Sequence, residues 1–490
     1  MKKIFISAGL VAAGAAGLQN VCAAGLDVIS PKAWNVSGTL RGFYDDNYSV
    51  SSTKQGSFGI EASPEISFNV PLQQTDLGIR YIYGLYYYQQ RQDLGLNAID
   101  QTHQLDIWFD HSFNERWKLK VTDSLAVGQE PALLGPVSPA APNGVPIRVE
   151  GNNFANHALV TLNTDWTRLF STSLAYGNDF YDYEQSGAGV GPIPSPGLFY
   201  PTGATLPPIS SHAGIPGPLG LTGAGASLAG LLNRVEQNVS LDLQWHVQPE
   251  TMIFVGYQFA LVNYTGNEQI GVANLIGGYT PAFGLVGNPP VVTAGSKPTY
   301  KSVIYRSDSR DSMTHSGHVG VQHEFTANLS GKASAGVSYT DSYNDPLQSS
   351  SSLSPNADIN ISYTYIPGSY VQLGFTHSIN ATDIASVDAS GNLTQYQESS
   401  VLYADINHRF TPKLLGTVVG RYQYSTYQVG GNSGSTIGGD TSYSLSLNLN
   451  YQINNHFSVE AGYNFDELVS GINNRAYDRN RVYLGLGANY

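Results

Sequence analysis

The 490-residue chain has a single cysteine, and that one, Cys22, sits in a segment that reads as a removable leader. Lys2 and Lys3 supply a positive start, Ile4 to Leu18 form an almost wholly apolar run, and Val21-Cys22-Ala23-Ala24 offers small side chains at a cleavage site. The run falls short of the about 20 apolar residues a spanning helix needs, so residues 1–24 are expected to be a secretory signal peptide rather than an anchor. Gln19-Asn20-Val21 lacks the leucine and the small residue that precede a lipidated cysteine. With the leader gone no thiol remains, which excludes disulfides, thiolate metal sites and a cysteine nucleophile.

Charge is scarce too. Charged residues make up 12% of the chain, about half the roughly 25% usual in a soluble domain. Basic residues number 24 against 37 acidic ones, and the formal charge of −13 becomes −15 once Lys2 and Lys3 leave. That balance excludes nucleic acid as a partner, because phosphate binding needs a positive surface. Beyond the leader no apolar run is long enough for a membrane helix. No linker separates compositionally distinct halves, so residues 25–490 are expected to form one domain. Tyrosine (32) and glycine (53), by contrast, are plentiful.

What fills the chain is alternation. From Ser57 to Val70 the even positions read Phe58, Ile60, Ala62, Pro64, Ile66, Phe68 and Val70, and the odd positions are polar or glycine. Tyr443, Leu445, Leu447, Leu449 and Tyr451 alternate in the same way with Ser444, Ser446, Asn448 and Asn450. The pattern returns near Leu105–Phe109, Val239–Trp245 and Ile359–Tyr365. A period of two sends alternate side chains to opposite faces of a strand, and helical spacing accounts for none of these segments.

Connections alternate between short and long. The short ones are Pro71 to Asp76, Asn114 to Arg116, Thr164-Asp165, Val247 to Glu250, Thr326-Ala327, Pro367-Gly368, Thr411-Pro412 and Asn454-Asn455. The long ones are residues 129–151, 184–233, 265–311, 342–355, 381–393 and 429–440. Short turns on one rim and long loops on the other are the arrangement of an outer-membrane barrel, with turns in the periplasm and loops outside the cell. The count is about 18 strands (16–18), from near Trp34 to Tyr490, giving a closed antiparallel transmembrane β-barrel.

Aromatic residues flank the short turns, where a girdle at headgroup level belongs: Phe68, Phe113, Trp117, Trp166, Trp245, Phe325, Tyr365, Tyr370, Phe410, Tyr451 and Phe457. The apolar face is almost free of charge. Asp123, between Val121 and Leu125, is an exception that a bulge or an interfacial height explains. The final strand, Arg481 to Tyr490, places Val482, Leu484, Leu486, Ala488 and the terminal Tyr490 on one face. This ending resembles the signal read by the outer-membrane barrel assembly machinery, an expected partner alongside lipid and lipopolysaccharide.

Two stretches carry a family likeness. Leu40-Arg41-Gly42-Phe43-Tyr44-Asp45-Asp46-Asn47-Tyr48 is followed by Phe58-Gly59-Ile60-Glu61-Ala62-Ser63-Pro64-Glu65-Ile66. Together they resemble the beta-barrel porin 2 family of outer-membrane proteins. The resemblance implies a porin-like barrel with an unassigned solute, some relatives being associated with exopolysaccharide export, and it implies no catalytic residue.

The polar face of the strands supplies candidate pore-lining residues: Arg41, Glu61, Glu65, Arg80, Asp106, Asp110, Lys118, Lys120, Glu236, Asp242, Asp405, Arg409, Arg421 and Glu460. On the polar face as a whole acids outnumber bases, which points to weak cation preference, while pairing across neighbouring strands is the plainer expectation for most of these charges. Asp45-Asp46, Asp341, Asp345 and Asp383 near outer strand ends offer calcium-type oxygens, although solvated loop carboxylates explain them as well. His315 and His323 share a face and His318 takes the other, so the three cannot converge on one metal ion. No Gly-x-Ser-x-Gly elbow or phosphate-cradling loop occurs.

Passive diffusion of small hydrophilic solutes, with no cofactor and no covalent chemistry, is therefore the expected activity, and a homo-oligomer is compatible with it. Two other readings stay open. One is an exopolysaccharide-associated, structural or adhesive barrel whose lumen is blocked by a long loop such as 184–233 or 265–311. The other is an outer-membrane hydrolase whose Ser, His and acid come from different strands and leave no local motif.

Overall fold

In the computed structural model, the described residues are 33–129, 132–134, 145–146, 153–184, 228–286, 291–347, 350–386, 392–430, 436–472 and 475–490. The expected leader and most of the 129–151 and 184–233 segments lie outside them. The barrel strands begin with β1 (Trp34–Asp45), β2 (Ser57–Pro71), β3 (Thr75–Tyr88), β4 (Ile99–Ser112) and β5 (Trp117–Gly128). A small pairing of β6 (Ala132–Leu134) with β7 (Val145–Pro146) follows outside the main sheet. The barrel resumes with β8 (Asn153–Asp165), β9 (Phe170–Asp182), β10 (Arg234–Gln248) and β11 (Thr251–Tyr264). A separate hairpin, β12 (Gln269–Val286) and β13 (Val291–Arg306), is inserted there. The circuit is completed by β14 (Ser312–Thr326), β15 (Leu329–Ser342), β16 (Ser350–Ile366), β17 (Ser369–Asn380) and β18 (Thr394–Thr411). Then come β19 (Leu414–Val429), β20 (Thr436–Gln452), β21 (Phe457–Ser470) and β22 (Tyr477–Asn489).

Eighteen of these strands form one antiparallel sheet that closes when β1 pairs with β22, from Ser37 opposite Asn489 to Asp45 opposite Arg481. Closure leaves no edge, so every strand finds hydrogen-bonding partners on both sides, the condition for placing a sheet in hydrocarbon. The expected strand count and all the short turns are present, with Trp34 and Asn489 on the short-turn rim. Thr164 and Asp165 themselves complete β8, and the turn follows them.

The long connections depart further from expectation. Residues 265–311 are largely a two-stranded hairpin rather than an irregular loop. Their Val, Ile, Tyr and Thr content favours strand pairing even though glycine and proline interrupt it. The 342–355 and 429–440 loops shrink because β16 starts at Ser350 and β20 at Thr436. Outer connections at 46–56, 89–98 and 471–476 were hidden by their short length, the second of them holding the helix α1 (Gln89–Asp93).

The outer face is apolar. Leu40, Phe58, Ile60, Val319, Leu353, Leu402, Leu484 and Leu486 are each more than half exposed. In water such a surface would be a large liability, whereas against lipid tails it is matched. Most of the expected girdle is exposed at the short-turn rim, with Phe68, Phe113, Trp166, Trp245, Phe325, Phe410, Tyr451 and Phe457 between 44% and 59%. Tyr370 is the exception: it points inward and donates to Asp405 at 3.1 Å. Asp123 sits in regular register without a bulge, and its carboxylate accepts from Asn156 Nδ2 at 2.7 Å on the same outward face. A neighbouring amide, not a backbone irregularity, makes this charge tolerable.

A repeat lies at the turns. His111-Ser112-Phe113, His323-Glu324-Phe325 and His408-Arg409-Phe410 end β4, β14 and β18. In each, the imidazole meets the phenylalanine two residues on, at 4.6, 4.6 and 4.5 Å between ring centroids. Each imidazole Nδ1 also meets a hydroxyl from an earlier barrel strand, one back for Thr75 at 2.8 Å and Thr251 at 2.8 Å and two back for Tyr365 at 2.6 Å. An amphipathic pair with one greasy and one hydrogen-bonded ring suits the boundary between hydrocarbon and water.

Candidate functional site

Because residues alternate faces, the exposed apolar positions fix which side chains turn into the barrel. All the candidate lining residues named above face inward, and so do Asp45, Lys332, Asp358, Asp466, Arg479 and Arg481. Facing inward and meeting solvent are different things, and the interior divides into a packed side and an open side.

The packed side runs along β21, β22, β1, β2 and β3. Arg41 donates to Glu61 at 2.8 Å and to Glu460 at 2.5 Å, and all three side chains are 6–8% exposed. Glu61 comes from β2, which pairs with β1, and Glu460 from β21, one strand beyond β22, so the arginine straddles the line where the barrel closes. It can reach that far because Gly485 lies directly opposite. A Cβ there would stand 2.7 Å from Arg41 Cγ and 3.1 Å from Glu460 Oε1. Nearby, Arg481 pairs with Asp45 at 2.6 Å and Arg479 with Asp466 at 2.9 Å. Phe43, Tyr48, Tyr86 and Tyr88 pack into a buried aromatic cluster, with Arg91 4.1 Å from the Tyr88 ring centre. Arg80 pairs with Asp106 at 2.7 Å, and Asp106 also accepts from Ser124 at 2.7 Å.

The open side is a cavity of about 620 Å³ bounded by strands from β8 to β18. Four of its ionisable groups pair, His157 with Asp179 at 2.8 Å and Arg234 with Glu236 at 2.6 Å, while Asp358 accepts from Thr376 at 3.3 Å. Asp242 on β10 lies 3.1 Å from the His318 imidazole, which turns inward as its parity requires. Asp405 accepts from Tyr370, and Arg421 donates to Gln423 at 2.8 Å. Asp110 stands opposite Lys120, while Lys118 is exposed near the short-turn rim. Glu65 is half-buried on β2, and Arg409 lies beside Gly368 at a short turn.

Over the loop end of this cavity sits an apolar knot. The helix α2 (Leu228–Leu232) contributes Leu231 and Leu232, the inserted hairpin contributes Ile270, Val303 and Tyr305, and the 381–393 segment contributes Ala385 and Leu393. Three arginines tie the knot to the barrel. Arg234 lies 4.0 Å from the Tyr181 ring centre and donates to the Leu232 carbonyl at 3.0 Å. Arg310 donates to the carbonyls of Leu231 and Thr382 and is 1% exposed. Burial pulls the Arg310 guanidinium below its ordinary value. Burial opposes the charge of Arg475 too, but Asp383 at 2.7 Å and Asp440 at 2.6 Å hold it well above the usual range.

The acidic residues near outer strand ends do not assemble into one site. Asp383 belongs to Arg475, Asp45 to Arg481, Asp46 to Lys54 at 3.0 Å, and Asp345 accepts from Gln395 at 2.8 Å. His315 and His323 both face outward, the first hydrogen-bonded to the Tyr257 hydroxyl at 2.7 Å.

One constellation had no sequence signal because its members come from two strands. On the outward face of β17 and β18, His377 Nδ1 meets Ser400 Oγ at 2.8 Å and His377 Nε2 meets Glu398 Oε1 at 3.0 Å. Gln428 on β19 donates to the other carboxylate oxygen at 3.1 Å.

Residues 291–490 match the family model described as "Putative beta-barrel porin 2". This is the family to which the Leu40–Tyr48 and Phe58–Ile66 stretches bear a likeness, and the match falls on the other end of the chain. No curated protein matches the sequence. Among solved structures, OccAB4 of Acinetobacter baumannii is similar over 94% of this chain and 99% of its own, at 10% identity and a TM-score of 0.37. OpdK of Pseudomonas aeruginosa, solved with vanillate, is similar over 93% and 99% at 10% identity and a TM-score of 0.40. A BenF-like porin from Pseudomonas fluorescens Pf-5 gives 94% and 99%, 10% and 0.39.

Proposed function

We propose that this barrel is an outer-membrane, porin-like channel through which small hydrophilic solutes diffuse passively. One observation carries the reading: a closed 18-stranded sheet with an apolar exterior and a polar interior that holds an open cavity. A sheet of this size encloses room for an aqueous passage, and its contribution is a wet path through lipid, with no bond made or broken. The leader delivers the chain across the inner membrane, and β22 with Tyr490 presents the assembly signal. Most interior charges are neutralised by neighbours, so the surplus of acids gives only a mild preference for cations.

Purified protein in a planar bilayer should give ohmic current with cation-over-anion selectivity that declines as salt rises. A bilayer that stays silent, or protein that remains monodisperse without detergent, refutes the reading. The apolar knot over the cavity supports the blocked-lumen alternative to this extent: it occupies part of the mouth, and a silent bilayer with folded protein would favour a structural or adhesive barrel.

The Ser400–His377–Glu398 row supports a second reading, a lipid hydrolase working at the outward face. A nucleophile, a base and an orienting acid stand in hydrogen-bond order. Against it, β18 is paired on both sides, so the backbone N–H groups around Ser400 are committed to the ladder rather than to an oxyanion. Labelling by a fluorophosphonate that disappears in Ser400→Ala would establish this reading; equal labelling of both proteins would end it.

A further inference from the structure

The open side of the barrel has one stretch of wall built from neutral polar groups. Above the level of His318, the inward face of β14 carries Ser312, Thr314 and Ser316, and β15, β16 and β17 continue it with hydroxyl and amide side chains down to Asp358, the carboxylate at its lower edge, which accepts from Thr376 at 3.3 Å. These groups are laddered across strands. Thr314 meets Thr340 at 2.9 Å, Ser316 meets Ser338 at 2.8 Å, and Asn356 donates to Ser338 at 2.8 Å. A hydroxyl is both donor and acceptor and rotates to suit its neighbour. Such a wall can exchange hydrogen bonds with a solute's own hydroxyls, and its neutral groups offer little to offset the desolvation of an ion.

Three nearly buried side chains that line the same cavity carry polar atoms with no hydrogen-bond partner: Arg310 Nε, His157 Nε2 and Gln395 Oε1. The first is a donor and the last an acceptor. His157 gives its Nδ1 side to Asp179, which leaves Nε2 the acceptor when Nδ1 carries the proton. Groups of opposite type around one space are satisfied together by a solute bearing several groups that both donate and accept. A carboxylate only accepts and an ammonium only donates, so neither matches the set. The charges that reach the cavity from β8, β9 and β10 are already spent on each other.

We infer that the solute for which this cavity is built is a neutral polyhydroxy compound, a sugar of one or two rings. A space of about 620 Å³ lies within the range of roughly 300–1,000 Å³ typical of small-molecule sites. The inference rests on the channel reading and narrows its solute. Recognition is by neutral hydrogen bonds, so binding is weak and reversible, as passage requires.

The test is single-channel current through the full-length barrel, with maltose, sodium benzoate and arginine hydrochloride added in turn. Maltose should interrupt the current in a saturable way, whereas benzoate and arginine should change it only as their ionic strength dictates. Gln395→Leu should raise the half-blocking maltose concentration about tenfold. Ser338→Ala, which removes one hydroxyl and almost no volume, should raise it in the same direction if the first variant does not fold. A conducting barrel that maltose leaves undisturbed, or that benzoate blocks saturably, overturns the sugar assignment and leaves the channel standing. A silent bilayer takes both down.

Discussion

Removing Arg41 should be among the most damaging single changes in the barrel. The guanidinium holds Glu61 and Glu460 at 2.8 and 2.5 Å with all three side chains almost wholly buried. Deleting one partner of a buried ion pair costs about 3–5 kcal/mol, because the other charge stays behind without compensation. Arg41→Met leaves two such carboxylates, so a loss of at least about 4 kcal/mol is expected in urea unfolding of the micelle-reconstituted barrel. Neutralising the whole group (Arg41→Met with Glu61→Gln and Glu460→Gln) should recover all but about 1 kcal/mol, since an apolar or neutral replacement of a buried ion group is often costless. Gly485→Ala provides an independent check. Its Cβ would collide with Arg41 Cγ, so it should destabilise the parent protein and cost less in an Arg41→Ala background, where that Cγ is absent. A loss below about 1 kcal/mol for Arg41→Met, or failure of the triple variant to recover, would show that the closing strands do not depend on this charge group.

Three further outcomes are expected. Val319, 58% exposed on the outward face of β14, should cost about 2–4 kcal/mol when changed to Arg, read as a shift in the urea midpoint in lipid vesicles. The same change at inward Gln372, which stands opposite Ser362 and Asp405, should not lower the midpoint. Leu231→Asp with Leu232→Asp puts two carboxylates into the apolar knot, where both leucines are 3% exposed; single-channel conductance should rise, and an unaltered value would mean that the knot does not narrow the mouth. Asp46 is pushed up by partial burial but brought below its ordinary 3.8 by hydrogen bonds from Asn480 and Lys54. A lowered carboxyl stabilises above its unfolded value and loses that contribution as pH falls through its folded one. Amide exchange in residues 46–56 should therefore accelerate below about pH 4, and Asp46→Asn should remove that pH dependence.

The barrel was legible because its two solvents write directly on the chain. A strand in lipid must be greasy on one side and wet on the other, and a period of two survives without any tertiary knowledge. Strand number, rim polarity and the inward direction of Arg41, Glu61 and Asp106 all followed from it. What stayed hidden depends on which strands are neighbours. Arg41 and Glu460 are 419 residues apart, and only closure of β1 on β22 brings them together. Ser400, His377 and Glu398 belong to strands whose residues each look ordinary. The hairpin at 269–306 reads as a loop in the sequence because glycine and proline at the outer rim signal punctuation, yet beyond the membrane nothing forbids a sheet from carrying them. The His-x-Phe repeat is written in the sequence as well, at equivalent places beside the short turns.

That repeat and its counterparts at the far rim set the height of the hydrocarbon belt. His323 and His315 lie on the same outward face of β14, eight positions apart, and each is hydrogen-bonded by a hydroxyl on β11. A tilted strand climbs roughly 2.5 Å per residue, so the two rings stand about 20 Å apart, against an apolar band of about 25 Å in barrels of this kind. Only apolar side chains or glycine lie between them on that face, and Val319 is at the middle. Cys22 is the single cysteine of the sequence, so in a Cys22→Ser background one cysteine can be introduced at any of the three positions and carry a fluorophore. A nitroxide at the bilayer centre should then quench the label at Val319→Cys most strongly, and a headgroup nitroxide should quench those at His315→Cys and His323→Cys. Equal quenching at all three would mean that the imidazoles do not mark the edges of the lipid-facing belt, and the hydrogen bonds they make would need another reason.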